Sequence, residues 1–375
     1  MKFLCDKQIL QEAINVVQRA VSTKSTMPVL ECILIETGDN SITLTGNDLE
    51  IGIQYKVMAQ ILNHGSTVVN AKIFGDIVRK LPDMPVYFEV GNNEGNVANI
   101  KCQHAEFDLV CLSAEEYPRI TEVSRDKYFS IDEKKLKKMI SQTIFAVSTN
   151  ETRPILTGLL FEIKDKIFTM VALDMYRLSM CKEQLFDNIE DLKTVIPGKT
   201  LSEIMKIAKE DNNRVNVFIT EKHVLFEFEN FIVTTRVLDG EYVNYERTID
   251  RPFSMEIEIE VNQLSDSVER AALIINTEIV KERLKLCPLK MTIDGEQMII
   301  NSATQIGKVM EVIDISPGGN ELIIGFNYKY LLDALHGCSC DKVKMVFNDA
   351  ISPCIIKPLE GNEFLHMVLP VRLQA

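Results

Sequence analysis

Two hydrophobic patterns alternate along the 375-residue chain. Apolar residues spaced by three and four positions predict three amphipathic helices, in DKQILQEAINVVQRA (6–20), IDEKKLKKMISQTIFAV (131–147) and EVNQLSDSVERAALII (260–275). Alternating apolar and polar residues predict strands, among them CILIET, SITLTG, GLLFEI and KIFTMVAL, with Gly, Asn and Asp at the turns. The patterns therefore indicate a mixed protein of helices and antiparallel strands.

A sixteen-residue sequence segment occurs twice along the chain in similar form. The segments VSTKSTMPVLECILIE (21–36) and VSTNETRPILTGLLFE (147–162) are identical at eight of sixteen positions and lie 126 residues apart. Chance is a poor explanation for such agreement, and an internal duplication explains it. Further segments recur at nearly the same spacing: 45–52 with 171–178, 69–81 with 196–208, and, more faintly, 325–337.

Each copy has the same predicted order of elements: an amphipathic helix, alternating strands, a second short helix and four more strands. We therefore predict an α+β fold of three tandem domains, at 1–124, 125–250 and 251–375, each with two helices on one face of antiparallel sheet. Such an array ends in exposed sheet edges, and exposed edges favour association. A second chain would close the array by covering them.

Composition is that of a folded protein: apolar residues make up 46% and charged residues 25%. The N-terminus lacks an apolar leader, and no segment approaches ~18 uninterrupted apolar residues, so we expect a cytoplasmic protein with no membrane partner. The cysteines are odd in number and scattered, unlike a disulfide framework, and we expect reduced, mostly packed thiols. They are Cys5, Cys32, Cys102, Cys111, Cys181, Cys287, Cys338, Cys340 and Cys354.

The net charge of −13 taken alone argues against a nucleic-acid partner. A local basic surface can nevertheless meet phosphates while the acidic surface faces solvent. One charged helix face is usually only a solvated face, but basic residues recur at corresponding positions of the repeats, which favours a basic surface. These residues are Lys72, Arg79, Lys80, Lys134, Lys135, Lys137, Lys138, Lys199, Lys206 and Lys209.

Patterns for catalysis, cofactors and metals are weak. PGKT at 197–200 ends like a phosphate-binding loop, but Lys193 stands where that motif needs a glycine, five residues before Gly198. The five histidines are far apart, and Cys338 and Cys340 belong to no four-ligand zinc pattern. We therefore expect no metal, no cofactor and no catalytic residue.

A series of short motifs, in order and spacing over three repeats, resembles the bacterial sliding clamp family, the β subunit of DNA polymerase III. The motifs are the MKF start, the two Thr-x-Pro-x-Leu segments, TGNDLE, the Asp-x-x-Arg-Leu of 174–178, VLDGEY (237–242), IGFN (324–327) and LPVRL (369–373). The resemblance spans the whole chain. It implies a head-to-tail homodimer closed as a six-domain ring, with sheets outside and helices lining a hole around duplex DNA. Such a ring is a non-catalytic processivity subunit.

The resemblance also implies partners and contact residues. The partners are double-stranded DNA without sequence preference, the replicative DNA polymerase, the clamp loader and other proteins with clamp-binding motifs. The contact between subunits is expected at Phe107 and Leu109 of one chain and Leu273 and Ile274 of the other. Lysines suit phosphate contacts that position the duplex and read no bases. The DNA contacts are expected at Lys24, Lys72, Thr149, Asn150, Arg153 and Lys199.

The family binds its polymerase in an apolar pocket at the junction of the second and third domains. Carried over position by position, the pocket comprises Leu156, Leu173, Asp174, Tyr176, Arg177, Leu178, Arg247, Thr248, Met367, Leu369, Pro370, Val371 and Arg372. We expect aliphatic walls and a basic rim of Arg153, Arg177, Arg247 and Arg372. The sequence departs from the family pattern at Val243, Met175 and Tyr176 and adds Gln374 and Ala375 at its end, which leaves the preferred peptide open.

Two other classes of function stay open. An enzyme could use the groove between the second and third domains, with Asp174, Tyr176 and Arg177 as its polar groups. A repeat scaffold that binds only proteins is the other alternative, although it would not require basic helices. Topology separates them, because a clamp is retained on closed circular DNA and slides off linear DNA.

Overall fold

The structure is a computed structural model that describes residues 1–22, 24–91, 97–186, 189–250, 253–279, 288–305, 307–317 and 321–373. Cys287, Gln374 and Ala375 lie outside the described residues. The chain divides into two compact units. The first unit is Met1–Lys134 with Glu203–Val237, and the second unit is Lys135–Ser202 with Leu238–Ala375.

The described residues of the first third contain two α-helices and nine strands. The strands are β1 (Lys2–Cys5), β2 (Cys32–Thr37), β3 (Ser41–Asn47), β4 (Ile51–Met58), β5 (Gln60–Asn63), β6 (Ser66–Asn70), β7 (Val86–Val90), β8 (Val97–Cys102) and β9 (Ala105–Leu112). The helices are α1 (Lys7–Val17) and α2 (Ala71–Lys80).

In the middle third the part of the chain that the structure describes has three α-helices, of which the last is a single turn. The strands are β10 (Tyr128–Asp132), β11 (Gly158–Lys164), β12 (Ile167–Leu173), β13 (Arg177–Gln184), β14 (Leu192–Pro197), β15 (Arg214–Ile219), β16 (His223–Glu227) and β17 (Phe231–Arg236). The helices are α3 (Glu133–Thr143), α4 (Gly198–Ile207) and α5 (Glu246–Ile249).

Two α-helices are present in the described ranges of the last third. The strands are β18 (Met255–Glu260), β19 (Leu289–Asp294), β20 (Gln297–Thr304), β21 (Gly307–Asp314), β22 (Leu322–Phe326), β23 (Lys342–Phe347), β24 (Cys354–Pro358) and β25 (Phe364–Val368). The helices are α6 (Val261–Ile279) and α7 (Tyr328–His336).

The prediction of four strands after the second helix of each copy is wrong. Within the described residues, three strands follow that helix in each third of the chain, β7–β9, β15–β17 and β23–β25. The remaining strand comes before the first helix, as β1, β10 or β18. These strands are short and run almost directly into the helix, so that their alternation merges with the helical pattern.

Sheets continue across the repeats. In the first unit one antiparallel sheet has the order β10-β15-β16-β17-β4-β3-β2-β6-β9-β8-β7-β1-β5. Its continuity depends on the pairing of β17 with β4, where Thr235 lies opposite Ile51. The second unit has a sheet of order β14-β11-β12-β13-β25-β24-β23-β18 and a four-stranded sheet of order β21-β20-β19-β22. There β13 pairs with β25, with Arg177 opposite Val368.

Side-chain caps start several helices. The carboxylate of Asp6 accepts hydrogen bonds from the amides of Gln8 and Ile9, and Asn70 and Asn327 cap α2 and α7 in the same way. Such caps satisfy amides that have no partner inside the helix. Pro82 follows the end of α2, where a proline cannot continue the helix. The polar residues at these starts therefore set where the amphipathic stripes begin.

The buried face of α1 is the one that the apolar spacing predicts. In α1 the buried residues include Leu10, Ile14 and Val17, and the helix packs on β3 and β4. Beside it the rings of Phe3 and Phe88 stack at 4.9 Å. Each such side chain contributes roughly 1.5–3 kcal/mol when it is buried. The helices are therefore held on the sheets mainly by apolar contacts.

The described cysteines are all free thiols, and six of the eight are buried. Burial raises the pKa of the Cys5 thiol to about 12, so it stays protonated near neutral pH. Throughout the described ranges no three His, Cys, Asp or Glu side chains are grouped as metal ligands. None of the described helices is both long enough and apolar enough to cross a bilayer.

Candidate functional site

A tight turn between β12 and β13, residues 174–177, organises the candidate pocket in the second unit. Oδ1 of Asp174 accepts hydrogen bonds from the amides of Tyr176 at 2.7 Å and Arg177 at 2.9 Å. The amide of Asp174 donates to the carbonyl of Arg177 at 3.0 Å. A short carboxylate can bond its own backbone in this way, which explains an aspartate at this position. We call these residues the Asp174 turn.

The side chain of Arg177 is fixed by contacts with the Asp174 turn and with α7. Its Nε donates to Oδ2 of Asp174 at 3.1 Å, and its guanidinium also pairs with Asp333 of α7. The guanidinium lies over the ring of Tyr330, 4.5 Å from the centroid. Only 12% of the side chain is exposed. Arg177 was expected in the basic rim, but two carboxylates offset its charge, and its main effect here is to fix the Asp174 turn against α7.

An apolar cluster forms the floor beneath this turn. The cluster contains four of the expected pocket residues, Leu156, Leu173, Leu178 and Met367, together with buried residues of the surrounding strands. Each of the four exposes at most 8% of its surface. They therefore contribute to the stability of the second unit as well as to the shape of the pocket. The other buried members are Leu160, Val171, Met180, Val195, Tyr245, Val346 and Ile355.

The C-terminal segment, residues 369–373, runs beside the turn and is fixed through its backbone. The amide of Leu369 donates to the carbonyl of Tyr176 at 2.8 Å, and the amide of Val371 donates to the carbonyl of Gly325 at 2.8 Å. A Cβ at Gly325 would stand 2.7 Å from the carbonyl oxygen of Val371, so this close approach requires glycine. Leu369, Pro370 and Val371 are half-buried, and Arg372 is exposed.

Exposed apolar and basic side chains surround the floor. Tyr176 is 52% exposed and stacks on Tyr330 with centroids 5.8 Å apart, while the neighbouring Met175 is 67% exposed. On the single-turn helix α5, Arg247 is exposed and Thr248 is half-buried. Arg153 is also exposed. The pocket thus combines a buried aliphatic floor with accessible aromatic, thioether and guanidinium groups.

Sequence reasoning missed two residues of α7 at this place, Tyr330 and Asp333. Both contact Arg177, and burial, followed by the charge of Asp174, raises the pKa of Tyr330. The repeat comparison identified 325–337 as a copy of the second helix without connecting it to the pocket. The sequence contained one signal for these residues, because α7 precedes the strands that lead into 369–373. The contact of Arg177 with Asp333, however, joins residues more than 150 positions apart and cannot be predicted from local spacing.

The expected DNA contacts are all exposed, and they fall in both units. In the first unit Lys24 lies in a loop where Ser22 donates to its carbonyl, and Lys72 lies in the first turn of α2. In the second unit Thr149, Asn150 and Arg153 share one loop, and Lys199 lies in the first turn of α4. The amides of a helix N-terminus favour anions, so Lys72 and Lys199 are well located for phosphate.

Several other basic residues on or just after the helices are already paired with acids. Lys206 lies 2.7 Å from Glu203, Lys209 lies 3.1 Å from Glu12, and Lys135 lies 2.6 Å from Glu183. Arg79 pairs with Asp76. Such exposed pairs contribute little to stability, but they lower the positive charge that each helix presents. The basic surface is therefore weaker than the number of lysines and arginines predicts.

The expected subunit contacts differ in exposure. Phe107 is 39% exposed and Leu273 is 70% exposed, and Ile274 is half-buried. Leu109 exposes only 8%, because its side chain packs inside the first unit. Strand β9 pairs with β8 along its length but with β6 only at Cys111 and Leu112, which leaves an edge open. In the second unit β21 is one of the two edge strands of its sheet in the described residues.

Three family models match consecutive parts of the chain. They describe the N-terminal domain of the DNA polymerase III beta subunit at residues 1–121, its central domain at 130–244 and its C-terminal domain at 246–372. The Asp174 turn lies in the part that matches the central domain, and residues 369–372 of the C-terminal segment lie in the part that matches the C-terminal domain.

The chain is similar to proteins that are described as sliding clamps. The beta sliding clamp of Halalkalibacterium halodurans is 34% identical over 384 residues, covering 99% of this chain and 100% of the relative. The beta sliding clamp of Bacillus subtilis strain 168 is 35% identical over 387 residues, with the same shares covered. A crystal structure of the DNA polymerase sliding clamp from Bacillus subtilis superposes with a TM-score of 0.93 at 33% identity and covers 100% of both chains.

Proposed function

We propose a mode of action from one premise: the chain belongs to the family of DNA polymerase III beta subunits, the sliding clamps. It is a DNA sliding clamp of bacterial replication, built from three tandem α+β clamp domains. We assign the domains to 1–124, 125–250 and 251–375. Bacterial replication takes place in the cytoplasm, and we expect the protein to act there.

The clamp acts as a head-to-tail homodimer that closes a ring around duplex DNA. A heterologous contact made twice closes a ring, whereas the same contact without closure gives a filament. The open edge of β9 and the edge strand β21 support this assembly, since unpaired strand edges favour pairing with another chain. We assign the interface to Phe107 and Leu109 of one subunit and Leu273 and Ile274 of the other, with Leu109 supporting Phe107 from inside.

The ring holds DNA by enclosing it, so its contacts need only modest affinity and no sequence preference. Lys24, Lys72, Arg153 and Lys199 supply positive charge for phosphates, and Thr149 and Asn150 supply hydrogen-bonding groups. All six are exposed. Binding of this kind weakens steeply with salt because bound counterions are released. Weak, uniform phosphate contacts permit the ring to slide.

The pocket around the Asp174 turn docks short peptides of the replicative polymerase, the clamp loader and other clamp-binding proteins. The observation that carries this proposal is the buried aliphatic floor next to the exposed Met175, Tyr176 and Arg247. An apolar site with a few polar groups at its edge suits peptides with aliphatic anchors and an acidic or amide group. Affinity for one peptide is on the order of micromolar, and two pockets per ring add avidity.

We propose that the clamp itself is not a catalyst. The alternative enzyme would use Asp174, Tyr176 and Arg177, but both oxygens of Asp174 are occupied by the turn and by Arg177. Arg177 in turn is paired with two carboxylates. Asp174 and Arg177 therefore serve to fix the turn, which argues against their use as an acid or a base in catalysis. The ring needs no cofactor or metal for this function.

Retention on DNA tests the proposed function. The purified protein, loaded by a clamp loader on a nicked circular duplex, should stay bound through gel filtration in high salt. It should be lost when the same circle is linearised by a restriction enzyme. Equal retention on both forms would refute the ring, and retention on neither form would favour the protein-only scaffold.

A further inference from the structure

The Asp174 turn has a copy in the first unit, residues 48–51, which we call the Asp48 turn. Oδ1 of Asp48 accepts from the amides of Glu50 at 3.0 Å and Ile51 at 2.8 Å. The amide of Asp48 donates to the carbonyl of Ile51 at 3.1 Å. These are the same three hydrogen bonds that form the Asp174 turn, 126 positions later in the sequence.

The surroundings of the two turns also correspond. The amide of Arg236, at the end of β17, donates to the carbonyl of Glu50 at 3.3 Å, just as the amide of Leu369 donates to Tyr176. The hydroxyl of Tyr117 donates to the carbonyl of Thr45 at 3.1 Å, as Tyr242 does to Val171 at 3.4 Å. The backbone that frames the proposed peptide pocket is therefore built a second time in the first unit.

The side chains around the Asp174 turn and the Asp48 turn differ in chemistry. Apolar residues around the Asp174 turn are replaced by smaller, polar or basic residues around the Asp48 turn. The corresponding pairs are Leu173 with Asn47, Leu178 with Gly52, Met367 with Thr234, Val368 with Thr235 and Leu369 with Arg236. An apolar peptide anchor would lose its floor here, and a polar or charged group would gain partners.

A cavity of about 130 Å³ lies at the Asp48 turn, lined among others by Leu49, Arg119, Ile120, His223 and Arg236. Peptide and drug pockets usually enclose roughly 300–1,000 Å³, so this cavity has room for one side chain. Leu49 is 53% exposed at its edge and has a φ of 75°, which a leucine rarely adopts. Backbone strain of this kind clusters at binding sites.

The imidazole of His223 lies near two basic side chains, Arg236 and Lys222. Burial lowers its pKa, and the charges of Arg236 and Lys222 lower it further. Two acids lie nearby: Glu50 lines the cavity, and Glu36 pairs with Arg119 at 2.9 Å. Arg119 is thus partly neutralised, whereas the exposed guanidinium of Arg236 is well located to meet an incoming carboxylate.

We propose that the cavity at the Asp48 turn is a second peptide site, which binds the carboxylate side chain of an acidic peptide through Arg236. Leu49 then contacts the aliphatic part of the peptide beside that carboxylate. The second site rests on the proposed function, because it assumes that the corresponding frame at the Asp174 turn binds peptides.

A pair of matched peptides tests the second site on the full-length protein. The probe is a fluorescein-labelled, capped Gly-Glu-Leu-Glu-Gly peptide, and its twin carries Gln in place of both Glu. Fluorescence anisotropy at low ionic strength gives the affinity of each. We expect Arg236→Ala to weaken the Glu peptide about tenfold, the loss of one charge-assisted hydrogen bond, and to leave the Gln peptide unchanged. Arg125→Ala, an arginine paired with Glu227 elsewhere in the first unit, is the control.

A second variant changes the cavity without removing charge. A Cβ at Gly52 would stand 2.6 Å from Cδ1 of Ile120, so Gly52→Ala forces Ile120 to shift within the cavity lining. We expect it to weaken the Glu peptide at least fivefold, with thermal unfolding measured in parallel to show that both variants are folded.

Two results would overturn the second site: an affinity for the Glu peptide within twofold of wild type in Arg236→Ala, or equal binding of both peptides by wild type. If deletion of residues 369–375 abolishes binding of the Glu peptide and Arg236→Ala does not, the peptide uses the Asp174 pocket and the second site is rejected. If Arg236→Ala acts as expected while that deletion leaves polymerase binding intact, the proposed pocket fails and the second site stands.

Discussion

Nδ1 of His366 lies 2.7 Å from Oγ of Ser179, and both side chains are fully buried. Oγ of Ser179 is also 2.5 Å from the carbonyl of Gln142, to which it donates. Because the hydroxyl hydrogen of Ser179 is used toward Gln142, we assign the imidazole as the donor from Nδ1 to Ser179. Burial lowers the pKa of His366 to about 4. The neutral ring is thus part of the folded core.

This buried histidine predicts a loss of stability in mild acid. Its pKa falls from 6.5 in the unfolded chain to about 4 in the folded one. Below pH 6.5 the unfolded chain takes up the proton first, so stability is full above that pH and falls as the pH drops toward 4. The largest loss is about 3 kcal/mol. Urea unfolding measured between pH 7.5 and 4 checks the expectation.

The variant His366→Asn isolates this effect from the carboxylates that titrate at lower pH. Asparagine can still donate toward Ser179 but does not titrate, so its stability relative to wild type should improve as the pH falls from 6.5 to 4. His104→Asn, at an exposed histidine, is the matched control. Parallel curves for wild type and His366→Asn would contradict the assignment.

The proposed subunit contact predicts that the protein becomes monomeric when its exposed leucine, Leu273, and the neighbouring Ile274 are replaced by charged residues. Leu273→Asp combined with Ile274→Asp removes two apolar side chains worth roughly 1.5–3 kcal/mol each when buried. We expect sedimentation velocity at low protein concentration to show monomer for the double variant and dimer for wild type. Ile351→Asp, at a side chain 74% exposed outside the proposed interface, should leave the dimer intact. A double variant that still sediments as a dimer would refute the assignment.

The proposed DNA contacts predict a weaker salt dependence when they are removed together. With Lys24, Arg153 and Lys199 changed to Ala, binding should weaken nearly uniformly across DNA sequences. The slope of log affinity against log salt should fall by about 0.9 for each phosphate that the variant no longer neutralises. Binding of a short duplex between low and moderate salt gives the slope. An unchanged slope would exclude these residues, and three exposed lysines serve as the matched control: Lys56, Lys166 and Lys308.

Local pattern predicted much of this fold and less of its site. The amphipathic spacing of 6–20 gave the helix that contains Leu10 and Ile14, because a period near 3.6 is visible within a few turns. The pairing of β17 with β4, or of β13 with β25, is not visible in this way, since it joins residues nearly 200 positions apart. The burial of Leu109 depends on the same long-range packing, as do the contacts of Arg177 with α7.

The position of the C-terminal segment predicts that its deletion abolishes partner binding but leaves ring assembly intact. Deleting residues 369–375 removes the hydrogen bonds from Leu369 to Tyr176 and from Val371 to Gly325, together with half-buried apolar surface. Each hydrogen bond contributes about 0.5–1.5 kcal/mol, so the second unit should be destabilised but folded. The expected subunit contacts lie on other strands and on α6, and the dimer should persist.

We expect the truncated clamp to lose binding to the polymerase and the clamp loader, measured by surface plasmon resonance, and to lose processive synthesis. Deleting only residues 374–375 is the matched control and should preserve both. Gly325→Ala should act like the longer deletion in milder form, because its Cβ would stand 2.7 Å from the carbonyl oxygen of Val371 and displace the segment. If the longer deletion still supports processive synthesis, or if it dissociates into monomers, the pocket is not where partners bind.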